Sequence, residues 1–133
     1  MITAIDSSVL LDVFARDPTF CARSQAALRS ALAEGGLIAC EVVWAEVAAS
    51  FSTAAAMAAA MATLTVDFST GTEASAAAAG AAWKTYRRRG GPRDRVVADF
   101  LIGGHAEAVA DRLLTRDRGF YRTYFPRLTI FEP

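Results

Sequence analysis

Ile2-Thr3-Ala4-Ile5-Asp6-Ser7-Ser8 decides how the rest of the chain is read. Its first four residues are apolar or β-branched and suit a short strand, which stops on a carboxylate. Two hydroxyl residues follow, and then Val9, Leu10, Val13 and Phe14 fall at helical spacing. A strand therefore delivers one acid to the carboxyl edge of a sheet, with a helix starting just beyond it. Open α/β sheets bind their ligands at that edge.

Working outward, strands and helices alternate. Asp17-Pro18 provides an N-cap and a proline suited to the first turn of a helix from about Pro18 to Glu34, which Gly35-Gly36 ends. Leu37-Ile38-Ala39-Cys40 fits a buried strand, and a helix is expected from Glu41 to Phe51. The Ala- and Met-rich stretch 53–62 and the Ala-rich stretch 74–82 read as packed helices, because Ala is the best helix former. Between them Leu64-Thr65-Val66-Asp67-Phe68 alternates like a strand, and Thr70 or Thr72 can cap the helix that runs to about Arg88. Gly90-Gly91-Pro92 breaks the chain. Val96, Val97, Phe100, Leu101, Ala108 and Val109 mark a further helix, and Leu113-Leu114 and Leu128-Thr129-Ile130-Phe131 mark the last two strands. Alternation with short connections predicts a parallel sheet wound by helices on both faces, within one domain spanning 1–133.

Composition narrows the setting. A chain of 133 residues buries roughly two thirds of its unfolded surface and needs no disulfide or metal to fold. Cys21 and Cys40 lack metal-ligand spacing and read as reduced, buried thiols. No stretch resembles a membrane span, and Asp6 and Asp12 fall where a signal peptide would be apolar, so a cytoplasmic protein is expected. The net charge of zero is divided: residues 1–82 carry −5 and residues 83–133 carry +5. Nearly every base is Arg, which suits bidentate phosphate contacts. The asymmetry fits a polyanionic partner, or equally an ordinary solvated helix face.

Four acids are tied to apolar elements. Asp6 ends the first strand. Asp117 repeats that placement in Leu113-Leu114-Thr115-Arg116-Asp117-Arg118-Gly119-Phe120. Glu46 shares a helix side with Val42, Val43, Val47 and Ser50, and Asp99 sits in the apolar run around Phe100. The bland readings are a border Glu46 satisfied by Arg or water, and an i, i+4 pair between Arg95 and Asp99. Gly103, one turn after Asp99, would keep backbone bulk low nearby. Four clustered carboxylates resist ionising together, and a divalent cation removes that conflict. Oxygen donors without Cys or His select Mg²⁺ or Mn²⁺ over Zn²⁺. With arginines close by, such a site suits phosphodiester hydrolysis.

These residues carry a resemblance. Ile5-Asp6-Ser7-Ser8-Val9-Leu10-Leu11, Val43-Trp44-Ala45-Glu46-Val47, Val97-Ala98-Asp99-Phe100-Leu101-Ile102-Gly103-Gly104-His105-Ala106 and Leu113-Leu114-Thr115-Arg116-Asp117-Arg118-Gly119-Phe120 follow in that order along the whole chain. Together they resemble the PIN-domain proteins and, more narrowly, the VapC toxins of toxin–antitoxin pairs. The resemblance implies a three-layer α/β/α domain with a central parallel sheet. It implies a metal-dependent endoribonuclease with Asp6, Glu46, Asp99 and Asp117 as metal and catalytic acids. Ser8 stands where many relatives have Asn, and Thr115 matches a hydroxyl position near the fourth acid. A small cognate antitoxin and a homodimer are likewise implied.

Other residues have assigned expectations. Arg95, Arg116 and Arg118 flank the acids and would hold substrate phosphates or balance charge. His105 lies about 240° round the helix from Asp99, at 100° per residue, and is expected to be structural. Asp94 and Asp12 read as solvated or capping acids. Trp44, Trp83, Tyr86, Tyr121 and Tyr124 suit core or interface, although Tyr121 near the mouth could stack on RNA. Two alternatives stand beside the nuclease. One is a PIN-like domain that binds RNA or a partner without cutting. The other is a phosphoryl-accepting signalling domain, which the position of the only lysine, Lys84, and the lack of adjacent acids after the first strand disfavour.

Overall fold

The computed structural model describes residues 1–92 and 97–133. In chain order the elements are β1 (Ile2–Ile5), α1 (Ser7–Phe14), α2 (Cys21–Glu34), β2 (Gly36–Cys40), α3 (Glu41–Ala48), α4 (Ala54–Thr63), β3 (Val66–Ser69), α5 (Glu73–Arg88), α6 (Val97–Val109), β4 (Arg112–Leu114), α7 (Phe120–Tyr124) and β5 (Thr129–Phe131). The five strands form one sheet in the order β3-β2-β1-β4-β5, and every pairing is parallel. This is the expected α/β architecture. The chain winds outward from β1 through β2 to β3, then returns to place β4 on the other side of β1. The carboxyl ends of β1 and β4 therefore flank the topological switch point, where such sheets bind ligands.

The core explains the alternation. Ile5, Leu37, Ala39, Leu113 and Leu114 from the strands are at most 1% exposed, as are Val9, Leu10, Val43, Val47, Met61 and Phe100 from the helices. Strands covered on both faces need such continuous apolar runs. The two Ala-rich stretches are helices, as expected. Thr72 caps α5 through a reciprocal pair with Ser75, and Thr53 caps α4 by accepting from Ala56 N. Small residues let α5 and α6 approach closely: a Cβ on Gly104 would lie 2.4 Å from the Ser75 carbonyl oxygen.

Several boundaries differ from the expectation. Residues 18–20 form a turn held by the Asp17 carboxylate, which accepts from Thr19 N and Phe20 N at 2.9 and 2.8 Å, so α2 starts only at Cys21. α3 ends at Ala48, before Phe51. β3 starts at Val66, because Leu64 still caps α4 and Thr65 turns through a φ of 58°. The short helix α7 was not foreseen; five residues after a glycine carry too little periodicity.

Individual residues also depart. Cys40 is buried as expected, whereas Cys21 is half-buried. Gly103 does not make room for an acid: a Cβ there would strike the Phe125 ring at 2.3 Å. Tyr121 is 1% exposed and cannot present a face to RNA. Trp83, Tyr86, Phe100, Phe120 and Tyr124 join an aromatic cluster with ring centroids 5.0–6.3 Å apart. Among the described residues no helix is long and apolar enough to cross a membrane.

Candidate metal centre

β1 pairs with β4 in the register Ile5–Leu114, and the Asp6 amide donates to the Leu114 carbonyl at 2.9 Å. The last ladder step therefore sets Asp6 beside Thr115. Asp6 is 7% exposed, and hydroxyls surround its carboxylate. Thr115 Oγ1 donates to Oδ2 at 2.6 Å, while Ser8 Oγ reaches Oδ2 at 3.4 Å and Ser7 Oγ reaches Oδ1 at 3.5 Å. The short bond to Thr115 dominates, since hydroxyl bonds weaken beyond about 3.0 Å.

Thr115 has a second task. Its Oγ1 accepts from the Asp117 amide at 3.0 Å, so one hydroxyl ties the two strand-end acids together. The Asp117 carboxylate accepts from Gly119 N at 3.0 Å and Phe120 N at 2.8 Å, where the chain enters α7.

Glu46 arrives from α3. Val43 and Val47 beside it are fully buried, while Glu46 itself is exposed at the border of that face. Ser7 Oγ donates to Glu46 Oε2 at 3.2 Å. Ser7 thus touches both Asp6 and Glu46, a role that the sequence pattern around Ser8 does not signal. Nothing local distinguishes the two serines; the docking of α3 against α1 selects Ser7. Asp99 lies in the first turn of α6, half-buried.

The acids feel one another. Burial pushes the Asp6 carboxyl above its ordinary value of 3.8, and the charges of Asp99 and Asp117 push it further, against the Thr115 hydrogen bond. Partial burial of its carboxyl end also raises Glu46, helped by Asp6 and Asp99 and opposed by Ser7. Asp6, Glu46, Asp99 and Asp117 therefore share one electrostatic field at the sheet edge. This donor set is all oxygen and mutually repelling, which suits a hard divalent cation. Among the described residues no three His, Cys, Asp or Glu side chains are already gathered as a ligand cluster. The fit lies in the donor chemistry and the shared field.

The remaining candidates divide. Arg95, with Asp94, lies outside the described residues. Arg118 is exposed beside Asp117 and lines a cleft with Phe20, Arg23, Arg116 and Glu132. Arg116 does not project freely toward a substrate: its guanidinium is bound to Asp12. Asp12 is in turn not a solvated acid but 3% exposed. His105 is buried away from the acids and shares a 2.8 Å hydrogen bond with Ser69, as a structural histidine would. Burial holds its imidazole below the usual 6.5, although Glu41 pulls the other way.

If Asp6 holds a divalent cation, Thr115→Val is expected to weaken its uptake by about 10- to 100-fold, the usual loss when a metal ligand is deprived of an outer hydrogen bond. Thr115→Ser should stay close to wild type. Manganese titration followed by thermal shift checks both; equal half-saturation in Thr115→Val and wild type would contradict the role.

A parallel sheet ordered 3-2-1-4-5 with acids at its switch point defines an α/β domain with an acidic sheet edge. A PIN domain family model matches residues 3–126, and the chain belongs to that family. Solved structures share the fold. VapBC2 from Rickettsia felis, bound to a DNA fragment from their promoter, superposes with a TM-score of 0.78 at 14% identity, covering 100% of this chain and 99% of that one. VapBC-1 from nontypeable Haemophilus influenzae gives 0.74 at 16%, covering 99% and 98%. FitAcB from Neisseria gonorrhoeae gives 0.67 at 19%, covering 98% and 96%. A search of curated protein sequences finds no match.

Proposed function

We propose that this PIN domain is a metal-dependent endoribonuclease and the toxin half of a VapBC-type toxin–antitoxin pair. The observation that carries the reading is Asp6: a buried carboxylate at the switch point, held by Thr115, in the field of Asp99 and Asp117. The likeness to VapBC and FitAcB structures supports the toxin assignment and an antitoxin partner; a homodimer and a cytoplasmic setting are proposed with it from the sequence resemblance.

In this reading Asp6, Asp99, Asp117 and Glu46 hold Mg²⁺ or Mn²⁺. When bound, the cation activates water and stabilises the oxygens that attack and leave at the scissile phosphate. Asp6 keeps one oxygen on Thr115, which orients the carboxylate. Ser7 does the same for Glu46, and Ser8 lends Asp6 a longer contact. The Asp117 carboxylate is steadied by the amides that begin α7. Arg118 is exposed beside Asp117 and supplies the charge for a substrate phosphate, whereas Arg116 is committed to Asp12. Arg95 retains the same phosphate role as a proposal from its place in the sequence. Lys84 lies within α5 instead of at a strand end, unlike the lysine of a phosphoryl-accepting site.

Metal uptake should depend on pH with a defined sign. The folded-state values of Asp6 and Glu46 lie above 3.8 and 4.5, so ionisation costs the metal-free fold stability as pH rises through those raised values. The cation needs ionised carboxylates, so its binding releases protons and tightens as pH rises through the same window. Manganese half-saturation followed upward in pH from the ordinary carboxylate range should fall as these carboxyls ionise; a profile flat throughout would contradict the assignment. The function itself is tested by incubating purified protein with RNA and Mn²⁺ and mapping the new ends beside an Asp6→Asn control. Metal-dependent binding without cleavage would favour the non-cutting alternative.

A further inference from the structure

The Arg116 guanidinium grips Asp12 with both arms: Nε donates to Oδ2 at 2.7 Å and Nη2 to Oδ1 at 2.9 Å. That two-bond fork is a geometry that lysine cannot reproduce. Ser24 Oγ adds a third bond to Asp12 Oδ2, at 2.7 Å. The Phe20 ring covers the guanidinium, 4.0 Å from ring centroid to the central carbon. This partnership spends the arginine on the protein itself.

Its place in the fold gives the partnership a purpose. Asp12 sits on α1, whose first residues are Ser7 and Ser8 at the Asp6 corner. Arg116 stands between Thr115, which donates to Asp6, and Asp117, whose amide donates back to Thr115. The ion pair therefore joins the element leaving one strand-end acid to the loop carrying the other. Those acids carry like charges and repel one another. Between Leu114 and Phe120 that loop has no regular structure to resist the repulsion.

We infer that Asp12 and Arg116 are a positioning pair: their half-buried bridge holds the Thr115–Asp117 corner against Asp6 before any cation binds. The inference rests on the proposed metal-dependent function. It reassigns Arg116 from substrate contact to site geometry, and it makes Asp12 part of the site although the acid does not face it.

The experiment compares wild type, Arg116→Lys and Asp12→Asn, with Asp12→Met/Arg116→Leu as a variant that leaves no buried charge unpaired at position 12. Manganese half-saturation is read by thermal shift and by RNA cleavage, and KM for RNA is measured at saturating manganese. A positioning pair predicts half-saturation raised about 10- to 100-fold in all three variants, with KM unchanged. A merely structural pair would lower the melting temperature and leave half-saturation alone, overturning the inference. A phosphate contact would also overturn it: Asp12→Asn, which frees the guanidinium, would then lower KM, and Arg116→Lys would keep metal uptake intact. Loss of the folded state in every variant, read by circular dichroism, makes the pair structural and overturns it too. Wild-type protein that takes up no manganese overturns both the inference and the proposed function; wild type that does, with variants matching it, overturns the inference alone.

Discussion

Asp6→Asn is expected to abolish the metal-induced rise in melting temperature and to cut RNA cleavage by more than about 100-fold, since even outer groups around a metal are worth 10- to 100-fold. In excess chelator the same variant should melt at a higher temperature than wild type. The two effects have one cause. Asp6 is a buried carboxylate beside Asp99 and Asp117, so its ionised form is unfavourable in the metal-free fold. Asn keeps the shape and can still accept from Thr115, but it removes the charge. A cation reverses the balance, because the repulsion that burdens the fold becomes attraction toward the ion. A variant that melted lower than wild type in chelator, with an intact metal response, would show Asp6 to be an ordinary structural acid.

The second large effect is on stability. Phe100→Ala should cost about 3–5 kcal/mol, the usual loss for truncating a fully buried aromatic. Phe100 is 0% exposed, stacks on Trp83 and meets the edges of Tyr86 and Phe120, so no neighbour can collapse into its space without breaking another ring contact. Against a total of about 5–15 kcal/mol that is a large share. Because Asp99 precedes Phe100 on α6, the loss should also loosen one wall of the acidic site. Urea unfolding measures the first effect and manganese titration at low temperature the second. A change under about 1 kcal/mol would mean the cluster repacks, contrary to the geometry.

Much of this was legible because strand ends are legible. Ile2–Ile5 and Leu113–Leu114 are short runs of apolar or β-branched residues that stop just before a hydroxyl or an acid, and the parallel sheet brings those stops together at its switch point. Asp6, Thr115 and Asp117 were therefore visible as a group. Asp12 was misread because its sequence neighbours suggest a solvated helix acid; the arginine that neutralises it lies 104 residues away. Ser7 was passed over for the same kind of reason, since its partner Glu46 is 39 residues distant and only helix docking chooses between adjacent serines. Gly103 was credited to the acid nearest in sequence, whereas Phe125 from beyond α7 occupies the space above it. In each case the local pattern was right and the long-range partner decided the role.

The proposed role of these acids is to hold a divalent cation for cutting RNA. Its most direct test is RNA cleavage by the purified protein in excess chelator and after manganese is restored. The expected result is no cleavage in chelator, recovery with manganese, and no recovery in Asp6→Asn. Cleavage that persists undiminished in chelator, or that Asp6→Asn retains, would contradict it.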